Sequence, residues 1–317
     1  MLTRNKMLDS VKYVVDNSEY VKINEDKIDD VINVLGDVKI EPWLNCDYLD
    51  LDKLSQNQLM MYFIICESLN FCYWDSEKKW KIDYKGEWYS GSYGLFYAIA
   101  KAINNGYDLL DVEFLENLTI KELDEILKGT TTIPLLQERY NVIKQLTSEF
   151  KKIKDLEKMI NGNSDVELLD SIIYNFSNFR DISQYKDRSV FFLKRAILLV
   201  GDLIANIDSI NKNVKNDDNM LGCADYKIPQ VLRHLGILEY STDLATIIDQ
   251  KHEIKHDDEM EIEIRANMLY AIELIKERLK QNGVDLNSVQ IDNALWLLSK
   301  NDEFKDKPHH LTKTIYY

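Results

Sequence analysis

The sequence predicts a mainly α-helical protein with one small β-hairpin near residues 80–90. Three observations lead there. Helix breakers are scarce, with 4 prolines and 11 glycines in 317 residues, which favours long helices over a turn-rich all-β chain. Apolar residues recur at three-to-four spacing along most of the chain, the period of one helix face. Strict alternation is confined to one short stretch.

The elements follow in order. Met7, Val11, Val14 and Val15, then Ile28, Val31, Ile32 and Leu35, read as helical across 5–35. Residues 55–69 form a second helix with Ser55 as N-cap. The period then changes: Trp80, Ile82 and Tyr84 alternate with Lys81 and Asp83, and Lys85-Gly86 turns the chain into Glu87-Trp88-Tyr89, a hairpin. Helices are predicted at 92–104, at 119–128 with Thr119 and Glu122 as a capping box, and at 134–160, 165–176 and 189–207. The polar run 211–219 reads as a loop. Pro229 suits the first turn of a short helix ending before Gly236. A last long helix spans 258–281, with Asp258 and Glu261 as its capping box and Gly283 just beyond. The aromatic tail Thr314-Ile315-Tyr316-Tyr317 is expected to be docked.

Bulk properties narrow the class. Hydrophobic residues make up 45% and charged residues 29%, ordinary for a soluble globular protein. The length suits one large domain or two modest ones. A net charge of −15 argues against a duplex nucleic-acid partner, which needs a basic footprint; a small phosphorylated ligand needs only local cations. Cys46, Cys66, Cys72 and Cys223 lack CxxC spacing and read as reduced thiols of a cytoplasmic protein. The first residues, MLTRNK, contain no signal-peptide block. No run approaches the roughly 20 apolar residues of a membrane helix. Oligomeric state leaves no signal.

Three segments carry chemistry, and one imitates it. His252-Glu253-Ile254-Lys255-His256 matches HExxH, which on a helix would present two imidazoles to zinc. Its flanks, DQK and DDE, are solvent-type residues, so it reads as a charged surface loop and no metal is expected. The stretch 189–207 is apolar nearly all round yet holds Lys194, Arg195 and Asp202. Arg195 and Asp202 share a stripe and are either a structural salt bridge or functional. Lys194 has no helical partner and is expected to face a ligand. Asp225 falls four residues before Pro229. It is either a plain cap or an ionised carboxylate, stabilised by the helix start, that could steady a cation or orient a water. Finally, Phe71, Tyr73, Trp74, Trp80, Trp88, Tyr89 and Tyr93 cluster within 24 residues. They pack a small core, and some of these rings could sandwich a base.

Together with SLNFCYW (68–74), GSYGL (91–95), IPLLQERYNVI (133–143), NFRD (178–181), FFLKRAILLVGDL (191–203), ADYKIPQVLRHLGILEY (224–240), EIEIRA (261–266) and HHLTKTIYY (309–317), these segments resemble the queuosine salvage proteins, also described as queuosine 5′-phosphate N-glycosylases. The pieces keep the family's order and span nearly the whole chain. The resemblance implies a helical glycosylase-like bundle related to helix-hairpin-helix DNA glycosylases. It suggests a central domain at 106–244, with 1–105 and 245–317 as a second helical layer and the site between them. It implies hydrolysis of queuosine 5′-monophosphate to free queuine, with neither metal nor organic cofactor. Asp225 matches the glycosylases' acidic residue and Lys194 the lysine that opens a buried helix. The Lys194-to-Asp225 interval is longer than in typical DNA glycosylases, because 211–219 intervenes. Before EIEIRA the family's small GS element is replaced by His256-Asp257-Asp258. Lys194, Lys227 and Arg265 are candidates for a phosphate clamp, and Phe71, Trp74 and Tyr226 for stacking on the base. Asn70 and Asp292 are candidates for its polar edge or its cationic side chain. The rival expectations are a non-catalytic queuine or nucleotide carrier, a DNA-base glycosylase and a zinc hydrolase.

Overall fold

The computed structural model describes residues 2–35, 53–74, 78–153, 155–159, 164–207, 210, 214 and 220–317. The expected mainly helical architecture is found, and among the described residues the strands form three small antiparallel pairs. The chain divides into two units. The first comprises 1–43, 181–197 and 216–313, and the second 44–180, 198–215 and 314–317.

The first unit is organised on the helix Glu259–Gln281. Ile262, Ile264, Met268, Ile272 and Ile275 bury its apolar surface, and Glu261, Glu263 and Arg265 are also wholly inside. Buried charges require partners, and each of these has one. Glu263 accepts the backbone N–H groups of Glu19, Tyr20 and Val21 and the Tyr185 hydroxyl. That carboxylate explains a departure from the sequence reading of 5–35 as helical. The helix Arg4–Asp16 stops, its freed amides turn to Glu263, and Val21–Ile23 pairs antiparallel with Leu238–Tyr240 before helix Ile28–Leu35 begins.

The segment 189–207 also splits. Arg188–Phe191 pairs with Ile182–Tyr185, and the helix is Lys194–Asn206. The β-branched and aromatic start of the segment packs better as a strand. The helix Lys227–His234 carries Pro229 in its first turn, and Gly236 follows at φ +73°. Helices Thr242–Asp249 and Ser288–Leu298 complete the unit. The expected Asp258/Glu261 capping box is not reciprocal: Asp258 accepts from Met260 N, while Glu261 reaches Asp257 N, His256 and Arg265.

In the second unit, helix Gln56–Ser68 is buried on every face and has a Ser55/Gln58 capping box. Strands Ile82–Tyr84 and Glu87–Tyr89 make the predicted hairpin, with Lys85 and Gly86 both at positive φ as a two-residue type I′ turn requires. Helices Gly91–Asn104, Val112–Asn117 and Ile120–Ile126 follow, the last capped by Thr119 and Glu122 as predicted. Gly129 is needed for close approach, since a Cβ there would lie 2.4 Å from Lys81 O and 2.7 Å from the Trp80 indole nitrogen. The helix predicted at 134–160 ends earlier, as Leu136–Phe150, with a single further turn at Leu156–Met159 and then Asp165–Asn175. The tail is docked: Tyr317 is buried, and its carbonyl accepts Cys72 N at 2.9 Å.

Cys66, Cys72 and Cys223 are buried free thiols. Cys46 and most of 211–219 lie outside the described residues. No helix among the described residues is long and apolar enough to cross a membrane.

Candidate functional site

In the first unit Asp225, Lys194 and Asp292 come together. Asp225 stands just ahead of helix Lys227–His234, and its Oδ1 accepts Lys227 N at 2.8 Å and Ile228 N at 2.9 Å. Those are amides that a helix start leaves unpaired. The residue is therefore both a cap and a candidate reactant, and it is only 8% exposed. The sequence reading expected the helix start to govern its charge. Burial has the larger effect and raises the carboxyl above its ordinary value, against the Lys194 ammonium and the two amides.

Lys194 is the first residue of its helix and is 9% exposed. Among the described residues no hydrogen bond or ion pair within 4.0 Å engages its Nζ. Its charge nevertheless acts on Asp225 and Asp292. Asp292, on helix Ser288–Leu298, accepts Cys223 N at 2.7 Å. Burial, then the charge of Asp225, pushes its carboxyl well above the usual range. One ammonium cannot ionise two buried carboxyls fully. Two amides besides the lysine favour the Asp225 anion, and the charge of Asp225 opposes ionisation of Asp292.

Around them, Tyr226 is half-buried, its ring centre 4.7 Å from that of His309. The His309 Nδ1 lies 2.8 Å from the His310 carbonyl, so Nδ1 carries the hydrogen and Nε2 is an acceptor. Burial and the Lys227 charge lower its pKa to about 3, which keeps the ring neutral. Lys227 Nζ, half-buried, lies 3.4 Å from Gln230 Oε1. Arg265 sits differently from the other two cations proposed for a phosphate. It is fully buried, paired with both oxygens of Asp181 at 3.1 and 2.6 Å, bonded to Ala224 O at 3.2 Å, and 3.4 Å from Glu261. Its guanidinium carbon also lies 4.0 Å from the centre of the Phe192 ring. Arg195 and Asp202 are both buried in the helix that Lys194 opens.

The second unit contains Asn70, Phe71 and Trp74. The Asn70 amide nitrogen donates to Glu67, and its oxygen accepts the Tyr73 and Ser92 hydroxyls at 2.8 Å each. Arg139, fully buried, donates to the carbonyls of Leu69, Phe71, Cys72 and Pro134. It also lies over Phe71, at 4.2 Å from the ring centre. Phe71 is thus an interior ring, whereas Trp74 is half-buried.

The HExxH segment does not form a helix. Helix Thr242–Asp249 has ended, and Glu253 bridges to Leu311, so His252 and His256 do not share a helical face. His256, Asp257 and Glu261 do bring ligand-type atoms within 4.8 Å of one another. Glu261 is already bonded to Arg265 there, and the same group raises the His256 pKa. An ion pair with protonated His256 is its simplest use.

Asp181 and His309 escaped assignment from the sequence. Asp181 stands in NFRD and His309 in HHLTK, both among the quoted segments, but periodicity gave neither a face nor a partner.

Comparison with known proteins places the chain in a family. The family model described as queuosine salvage protein matches residues 51–317. A Sphaerobacter thermophilus protein named queuosine 5′-phosphate N-glycosylase/hydrolase is 30% identical over 98% of this chain and 97% of its own. Proteins of the same name from Nematostella vectensis and Mus musculus are 32% and 26% identical, covering 81% and 98% of each chain. Asp225, Lys194 and Asp292 all lie inside the matched region, and the chain belongs to the queuosine salvage protein family.

Proposed function

We propose that this protein hydrolyses the N-glycosidic bond of queuosine 5′-phosphate and releases queuine. The observation that carries the mechanism is the buried Asp225 carboxylate fixed by two amides, with the Lys194 ammonium acting on its charge. Cleavage breaks the bond from C1′ to the base nitrogen, and the electron pair leaves with the base. The sugar passes through an oxocarbenium-like state, as in glycoside hydrolysis. Queuine, a 7-deazaguanine, has no N7 to protonate, so more of the barrier must be lowered on the sugar side. Asp225 does this electrostatically and accepts a proton from the attacking water. A proton from solvent or a site acid completes the free base.

Lys194 and Lys227 are the choices for the 5′-phosphate, and Tyr226 is a stacking ring near Lys227. Asp292, whose carboxyl is pushed well above the usual range, can donate a hydrogen bond in its protonated form. Trp74, as the half-buried ring of its segment, is the stacking candidate there; Asn70 and Phe71 shape that segment. No step requires a metal or organic cofactor. A cytoplasmic location fits the reduced thiols, and a free nucleotide rather than a duplex fits the net charge of −15.

The test is incubation of purified protein with queuosine 5′-monophosphate and detection of free queuine by mass spectrometry. The unphosphorylated nucleoside is assayed in parallel. Stoichiometric binding without base release would leave a carrier and remove the enzyme.

A further inference from the structure

The pair Arg265–Asp181 joins two backbone segments that hold the proposed reacting groups. Asp181 acts through its carbonyl and its carboxylate. Its carbonyl accepts Phe192 N and Leu193 N, both at 3.1 Å. Its Oδ2 accepts Lys194 N at 3.4 Å and Arg265 Nη2 at 2.6 Å. Leu193, fully buried, is held at φ +54°. A bulky residue is strained there, and such strain persists only where the surroundings over-determine it. On the other side, Arg265 Nε donates to the carbonyl of Ala224, the residue before Asp225. Phe192 packs against the guanidinium. A single chain of contacts therefore runs from the Lys194 backbone through Asp181 and Arg265 to the Asp225 backbone, all within one unit.

We infer that Arg265 and Asp181 are positioning residues that fix the spacing of Lys194 and Asp225, and that Arg265 does not bind the substrate phosphate. A planar guanidinium suits this task because it serves a carboxylate and a carbonyl in one rigid plane, which a lysine cannot reproduce. The inference rests on the catalytic reading of Asp225 and Lys194 given above.

The test uses Asp181→Asn and Arg265→Lys in the full chain. Each should lower kcat about 10–100-fold, the scale of a misplacement near 1 Å. KM should stay within about threefold, and the loss should be equal on the monophosphate and the nucleoside. A phosphate contact would behave oppositely: lysine would rescue it, and the loss would appear in KM for the monophosphate alone. A second readout needs no turnover. Lys194→Met and Asp225→Asn, singly and together, give a coupling in urea denaturation, and Asp181→Asn should lower that coupling by half or more. If Asp181→Asn does not fold, Phe192→Leu, which removes no charge, replaces it. A loss confined to the phosphorylated substrate, or an unchanged coupling, overturns the inference. Absence of base release by the unaltered protein overturns the proposed function instead, and the coupling alone then decides about the pair.

Discussion

A fully buried arginine in each unit, Arg265 in the first and Arg139 in the second, does different work. Arg265 faces carboxylates, Asp181 and Glu261, and one carbonyl. Arg139 is bonded to four carbonyls and lies over the rings of Phe71 and Tyr73. The second arrangement follows from where the chain ends a helix. Leu69 is the C-cap of Gln56–Ser68, and the carbonyls there carry partial negative charge and lack helical partners. Arg139 supplies donors to them and so shapes the segment 69–74. Arg265 instead ties charged groups to charged groups, next to the acid and the ammonium. The contrast teaches that one unit sets ionisation, while the other sets the shape of an aromatic segment.

That division yields predictions, of which the largest effect should fall on the charged unit. Asp225→Asn keeps the shape and removes the anion, and should lower kcat about 10²–10³-fold, with KM changed only a few-fold. Near-normal queuine release would break the assignment. Arg139→Met should act on stability rather than chemistry. It strands several buried carbonyls and should cost at least about 3 kcal/mol, measured by urea denaturation. An undiminished midpoint would show that Arg139 does not hold the segment. Lys227→Met should raise KM for the monophosphate about 10–100-fold and leave the nucleoside unaffected. Equal effects on both would remove Lys227 from phosphate binding.

Two pH effects are smaller. Burial raises the Asp225 carboxyl, so the acid limb of kcat/KM should lie above the ordinary value of 3.8. An acid limb at or below that value would contradict the burial argument. Burial pulls the His256 pKa down, but the Glu261 hydrogen bond and the charges of Glu261 and Asp257 outweigh it, and the pKa is raised from 6.5. A raised base stabilises the fold fully below pH 6.5, and that contribution is lost as pH rises through the folded value. Thermal midpoints should therefore fall across that window, and His256→Gln should flatten the change.

Much of the fold was legible because it rests on local rules. Ser55, Thr119 and Pro229 marked helix starts, and Lys85-Gly86 marked the hairpin turn. The errors occurred where a distant partner prevails over a local pattern. Val21–Ile23 became a strand because Leu238–Tyr240 and Glu263 were waiting for it. The helix predicted from 189 begins at Lys194, because Arg188–Phe191 pairs with Ile182–Tyr185.

Composition, periodicity and quoted segments were enough to fix the helical class and the family, and to single out Asp225 and Lys194. These follow from covalent order and near-neighbour geometry. Tertiary structure alone decided which side chains meet. It brought Asp292 to within electrostatic reach of Asp225, turned Arg265 inward onto Asp181, and put His309 against Tyr226. Charge state depends on burial and on partners remote in sequence, so neither could be read from the order of residues.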